Sequence, residues 1–173
     1  MKVAGISGVG AIRNIEEVHR NYLIRETAKV VYGEAANAED EEKLWVAHVV
    51  KNRYMLQKQG KYRFGSIRKD FLGYERWGKN RGAIENNRLE KRAWKKSFEA
   101  ARKAWTSKHD PTHGAVFFVS KESLRKRGID PSTAKDLRKK ANKAFKLSVY
   151  PLEVVKPSKG HNFKHVFFRI KEK

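Results

Sequence analysis

Glu34 is the residue of this chain whose setting most resembles an acid–base catalyst. It follows Val30-Val31-Tyr32-Gly33, at the close of what reads as an apolar helix. Burial disfavours the ionised form, so such a carboxyl is expected to keep its proton near neutral pH and deliver it to a leaving oxygen. Glycosidases make their acid in this way. A surface glutamate at a helix C-terminus, where the dipole disfavours it, has the same pattern, and spacing alone leaves both readings open. Tyr74 and Trp77 can stack on the C–H faces of sugar rings or serve as core aromatics. His161 and His165 are four apart, as are His109 and His113, which is metal-ligand spacing on a helix. Pro111 breaks the second pair and the first enters a strand, so no metal is expected at either. The chain has no cysteine, which excludes a thiolate zinc site and a disulfide framework.

The elements that must position these groups follow from hydrophobic spacing. Apolar residues at Ile15, Val18, Tyr22, Thr27, Val30 and Val31 predict an amphipathic helix to about Tyr32, with Gly33 as its stop. Glu39-Asp40-Glu41-Glu42 suits the positive end of a second helix, leaving Glu34 in the turn between the two. Four glycines among aromatics over Tyr62–Gly82 predict an irregular groove-lining loop, and Leu89 to Trp105 a third, core helix. Asp110-Pro111-Thr112-His113-Gly114 is a turn leading into an apolar strand, Ala115 to Val119. Val149–Val155 and His165–Ile170 are two more strands about a Pro157-Ser158-Lys159-Gly160 turn. Helices first and a small sheet later define an α+β domain over 15–173. Residues 1–14, rich in glycine, read as a flexible arm: Arg13 stands where a dinucleotide loop would need its third glycine, and no signal peptide is recognised.

Charge sharpens the expectation of a partner. The 173 residues carry a formal +21 with pI near 10.2. Residues 1–48 hold 6 basic and 8 acidic side chains, so the rest of the chain is net +23. A field of this sign concentrates polyanions at the surface. The densest run lies over about 121–148, where Ala134 to Phe145 predicts a basic amphipathic helix. No apolar run is long enough for a membrane span.

Four stretches in order give a resemblance. Glu26-Thr27-Ala28-Lys29-Val30-Val31-Tyr32-Gly33-Glu34-Ala35 followed by Trp45 to Arg53, the aromatic stretch Phe71 to Trp77, the turn Asp110 to Ala115, and Gly160 to Arg169 together resemble the spore cortex-lytic cell wall hydrolase family. The resemblance spans roughly Glu26 to Arg169. It implies a lysozyme-like fold that cleaves the MurNAc–GlcNAc β-1,4 bond of peptidoglycan, typically as a lytic transglycosylase, without cofactor or metal. The glutamate of the family's Y-x-E-A segment is its catalytic acid, and that position is Glu34 here. A hydrolase would call for a second carboxylate, for which Glu39, Glu75 and Asp110 are the candidates. Tyr74, Trp77, Thr112, Phe118, His161 and His165 are the candidate substrate contacts.

The chain also departs from the family. Ala36-Asn37-Ala38-Glu39 replaces the usual Arg-Gly-Glu, and phenylalanines at 117, 118, 167 and 168 stand where tyrosines are common. The expected partners are peptidoglycan strands and, through the basic surface, anionic envelope polymers, with the protein a monomer. With no leader or anchor recognised, the chain resembles a bacteriophage endolysin or virion lysin more than a spore enzyme, made in a host cytoplasm or packaged in a virion. The rival is a cationic nucleic-acid-binding module without enzymatic activity, for which the charge and interleaved aromatics also speak. No ribonucleoprotein motif, zinc finger or G-x-x-G clamp accompanies them, so no specific nucleic acid is expected.

Overall fold

A computed structural model describes residues 8–60, 64–132 and 152–171. Two long helices come first, α1 (Gly8–Ala35) and α2 (Asp40–Lys58). The arm expected over 1–14 is thus helical from Gly8 on; residues 1–7 lie outside the described part. The apolar stripe of α1 divides in two. Ile15, Val18 and Tyr22 are 58–68% exposed, whereas Leu23, Ile24, Ala28, Val30 and Val31 are buried.

Gly33 does not stop α1, which continues to Ala35 and so carries Glu34 in its last turn. The glycine serves a close approach instead. A Cβ on Gly33 would fall 1.8 Å from the carbonyl oxygen of Gly73, and one on Gly73 would fall 2.6 Å from Glu34 Cγ.

The stretch expected to be an irregular loop holds two short helices, α3 (Ile67–Asp70) and α4 (Leu72–Lys79), and the start of α5 (Arg81–Asn86). Its glycines do not all punctuate. Gly65 leaves room for Asp70 Oδ1, which a Cβ would approach to 2.1 Å, while Gly73 lets α4 lie directly on α1. The third expected helix is α6 (Arg88–Thr106), started by Asn87, whose side chain accepts from the Leu89 and Glu90 amides. Its buried face is made of Ser97, Ala100, Ala101 and Ala104, small enough for α6 to pack closely on α1 and α2. Leu89, expected on that face, is 74% exposed.

After α6 come β1 (Ala115–Ser120), the short α7 (Lys121–Lys126), β2 (Leu152–Val155) and β3 (His165–Ile170). The sheet runs β1-β3-β2, antiparallel throughout, with Phe118 opposite Phe167 and Val154 opposite Phe168. The basic helix expected over Ala134–Phe145 and the start of the strand expected from Val149 lie outside the described residues. Because side chains alternate across a strand, central β3 feeds two cores. Phe167 meets Trp45 and Phe163 beneath the helices, while Val166 and Phe168 join Leu124, Ile129 and Leu152 on the other side. The architecture is α+β, mostly helical with one small antiparallel sheet. No helix among the described residues is long and apolar enough to cross a membrane.

Candidate active site

The last turn of α1 places Glu34 on the wall of a hollow of ≈ 430 Å³, together with Tyr32, Asn37, Arg76, Asn80 and Glu90. Its side chain is 12% exposed. Oε1 accepts the Gly73 amide at 2.6 Å, and Oε2 lies 3.5 Å from the Arg76 guanidinium. Gly73 is the second residue of α4, so its amide is one of the helix-end donors that find no partner within their own helix. Glu34 therefore caps α4 from outside while its remaining surface meets the hollow. Tyr32 donates its hydroxyl to Glu90; burial first, and then Glu90, push the phenol up to about 12, so it stays a neutral donor.

The three candidate second carboxylates are elsewhere. Glu39 holds the N-cap position of α2 and pairs with His161 Nδ1 at 2.6 Å, so two candidates separated by 122 residues do meet, beside a neighbouring hollow. Glu75 is at the surface, 2.8 Å from Lys79 one helical turn on. Asp110 organises its own turn, accepting the amides of Thr112 (2.8 Å) and Gly114 (2.9 Å) and the Asn52 side chain (2.9 Å). Burial pushes its carboxyl up, but Thr112, Asn52 and nearby His48 together hold it below the ordinary range. The carboxylate that does share the hollow with Glu34 is Glu90. The sequence marks it only as an acidic residue in the first turn of α6.

The candidate substrate contacts do not line this hollow. Tyr74 and Trp77 lie over Lys29, whose Nζ is 5.1 and 4.5 Å from the two ring centroids. Thr112 is fully buried inside the Asp110 turn, donating to Asp110 at 2.6 Å. Phe118 stacks on Phe71 and meets His165 edge-on, with centroids 6.0 and 5.3 Å apart. His165 is buried against Glu42, a residue the sequence offered only as part of the acidic start of α2. Glu42 is 0% exposed and accepts the Lys164 amide (3.0 Å), the His165 amide (2.8 Å) and His165 Nδ1 (2.6 Å). Burial alone would raise its pKa, yet these donors hold the carboxyl below the usual range. The signal was present, since Glu42 stands three and four residues before Trp45 and Val46 on the buried face of α2.

Another hollow, ≈ 820 Å³, is bounded by Tyr22, Tyr54, Phe71 and Tyr74 rather than by Glu34. Of its charged groups, Glu26 is matched by Lys29 at 2.6 Å and Arg53 by Asp70 at 3.8 Å, while Lys58 and Arg68 also line it. Among the described residues no group of three or more His, Asp or Glu side chains is placed to hold a metal ion. The site thus belongs to the class of α+β proteins with a shielded carboxyl beside an open cleft. No family model, no curated protein and no solved structure matches the chain.

Proposed function

We propose that the protein degrades peptidoglycan as a lysozyme-like glycosidase, cleaving the MurNAc–GlcNAc β-1,4 bond with Glu34 as general acid and base. The observation that carries this reading is a largely shielded carboxyl, oriented by the Gly73 amide and facing Arg76, on the wall of an open hollow. Protonated Glu34 gives its proton to the glycosidic oxygen as the C1–O bond breaks and an oxocarbenium-like centre forms. The carboxylate left behind then takes the proton of the C6 hydroxyl, whose oxygen closes a 1,6-anhydro ring on C1. Gly73 and Arg76 are donors suited to the carboxylate half of this cycle. One carboxyl serves both steps, so a lytic transglycosylase fits best. Hydrolysis would need a carboxylate for water, and Glu90, which lines the same hollow as Glu34, supports that role better than Glu39, Glu75 or Asp110. The setting proposed is that of a phage endolysin or virion lysin acting on the bacterial wall.

Digestion of purified peptidoglycan by wild type and Glu34→Gln, with mass analysis of released muropeptides, tests the assignment. Anhydro products from wild type and none from the variant are expected. Equal release by both proteins would remove Glu34 from the mechanism. The rival reading, a cationic nucleic-acid binder, draws on the outer face of α6, where Arg88, Lys91, Arg92 and Lys95 are exposed. A protein that binds duplex strongly at physiological salt and releases no muropeptide would establish that rival.

A further inference from the structure

The side of α6 turned away from α1 and α2 is a stripe of cations. At 3.6 residues per turn, Arg88, Lys91, Arg92, Lys95, Arg102 and Lys103 fall on one face, opposite the buried Ser97, Ala100, Ala101 and Ala104, and all six are exposed. The stripe runs about 22 Å along the helix axis. Among the described residues no carboxylate lies within 4.0 Å of any of the six. Two acids stand close by. Asp40 is committed to Lys96, at the stripe's edge, at 3.0 and 2.9 Å. Glu99 is exposed within the stripe itself, so six unpaired cations against one carboxylate leave a net +5. Like charges three and four residues apart, as in Arg88, Lys91, Arg92 and Lys95, repel one another and weaken the helix unless an anion lies between them.

The face carries little besides charge. The rings of α6 turn the other way: Trp94 meets Tyr32 and Trp77, and Trp105 meets Tyr54. From Arg88 to Lys103 there is no Asn, Gln or Thr, and Ser97 is buried. A single-stranded nucleic acid is held by stacking as well as by charge, and bases are read by hydrogen-bonding side chains. Cations alone recognise phosphates and nothing between them. The stripe also begins at the candidate site. Glu90, in the same first turn, lines the hollow of Glu34, and Arg92 lines the hollow that adjoins it at Ala36, Asn37 and Ala38. A polymer lying along α6 would run beside a strand bound at Glu34.

We propose that the outer face of α6 docks a cell-wall polymer of phosphodiester-linked polyol units, which holds the protein beside the strand it cleaves. The inference rests on the peptidoglycan reading above and adds to it a partner and the surface that takes it. Each repeat of such a polymer carries a phosphate, and the guanidinium forks of Arg88, Arg92 and Arg102 match phosphate oxygens in pairs. The polyol between phosphates asks for neither ring nor amide, which is what the face lacks.

The test uses the full chain and two soluble probes, poly(glycerol phosphate) and a DNA duplex of equal phosphate content. One variant carries Arg88→Gln, Arg92→Gln, Lys95→Gln and Arg102→Gln, since glutamine matches arginine and lysine in helix propensity. A second removes the same charge from other elements through Lys58→Gln, Lys69→Gln, Lys108→Gln and Arg125→Gln, all at exposed positions. Thermal melts verify that both fold. The wild type is expected to bind poly(glycerol phosphate) with an affinity that falls as salt rises. At about 0.1 M salt the α6 variant is expected to bind roughly tenfold more weakly, from the loss of four exposed pairs, and the second variant less than about threefold more weakly. Equal losses in the two variants would mean that net charge alone binds, and would overturn the surface. Tighter binding of the duplex than of poly(glycerol phosphate) would overturn the partner. Peptidoglycan stripped of its phosphate polymers separates this inference from the reading beneath it, because wild type and α6 variant should digest it at the same rate. Digestion by the wild type without binding of poly(glycerol phosphate) would overturn the docking face alone. No digestion would overturn the peptidoglycan reading, and this inference with it.

Discussion

Two glutamates flank the turn between α1 and α2, eight residues apart, and they face opposite fates. Glu42 is fully buried, and three donors from the start of β3 satisfy its oxygens. Glu34 is shielded but not sealed, with one short amide contact, one long contact to a mobile-length guanidinium side chain, and an open hollow beyond. A carboxylate with both oxygens bonded and no exposure is a fastener: it ties the first turn of α2 to a strand more than a hundred residues later. One with acceptor capacity left over can exchange protons with something that arrives. Burial alone does not separate the two, and counting donors does.

The widest separation is expected in activity. Glu34→Gln should lower muropeptide release by about 10²–10⁴-fold, the usual worth of general acid–base catalysis. The glutamine can still accept the Gly73 amide, so the unfolding free energy should move by less than about 1 kcal/mol. Denaturant unfolding and product release measured on the same preparation decide it. A large loss of stability with little loss of turnover would make Glu34 a second fastener, its role confined to capping α4. Glu42→Ala is the mirror image. Removing one partner of a buried, hydrogen-bonded pair leaves His165 and two amides unmatched, a loss of about 3 kcal/mol. For a chain of this size that is a fall in melting temperature of about 10 °C.

Much of this comparison was legible before the fold was known, and the part that was not has physical causes. Glu34 could be singled out because the apolar run before it is a local pattern. The strands at Ala115 and His165 and the helix through Trp94 follow from spacing in the same way. Partners that meet across long separations carry no such mark. Glu42 with His165, Glu39 with His161 and Glu90 with Tyr32 are pairings that only tertiary packing creates. The aromatics belong to the same group. Tyr74 and Trp77 have the composition of a sugar platform, and the contact of both rings with Lys29 from α1 carries no local mark. Gly33 reads locally as a helix stop, whereas its lost Cβ is demanded by Gly73, forty residues away.

That glycine contact offers the next largest effect. In Gly73→Ala the new methyl carbon would fall 2.6 Å from Glu34 Cγ and 2.7 Å from the Val30 carbonyl oxygen. Backbone cannot yield as a flexible side chain can, so α4 must shift, at a cost of about 1–3 kcal/mol typical of overpacking. The shift also withdraws the amide that orients Glu34, so activity should fall more than stability does. Gly78→Ala on the same helix, where an added Cβ meets nothing within 4 Å, is the control: it should leave activity unchanged and raise stability slightly, by up to about 1 kcal/mol. If the two alanines behave alike, the contact between α1 and α4 does not position the acid.

A smaller effect tests the buried glutamate by pH. The folded-state pKa of Glu42 lies below its ordinary value of 4.5. The unfolded chain therefore takes up that proton first as the solution is acidified. Its stabilisation is complete above about pH 4.5 and is lost as pH falls from there through the folded-state value. Asp110 adds a parallel loss that begins near its own ordinary value of 3.8. Urea unfolding followed from neutral pH down to about pH 3 should show the wild type losing stability over this range and Glu42→Gln losing less. A variant as acid-sensitive as the wild type would place the acid response in other carboxylates, Asp110 and Asp40 first.

The smallest effect is the most discriminating for the catalytic assignment, because it concerns a carboxylate that the sequence offered on equal terms. Glu75 lies one residue from Tyr74 and two from Trp77, and its neighbour Arg76 faces Glu34. Its own side chain points to solvent, where Lys79 one turn away on α4 draws its carboxyl below the ordinary range. Exposed pairs of this kind are screened by water and salt and contribute little that can be measured. Glu75→Gln should therefore melt with the wild type and release muropeptides at the wild-type rate across the pH range. A change in the acid limb of the pH–rate profile would mean that Glu75 turns inward when substrate binds, and that two carboxylates rather than one act on the bond.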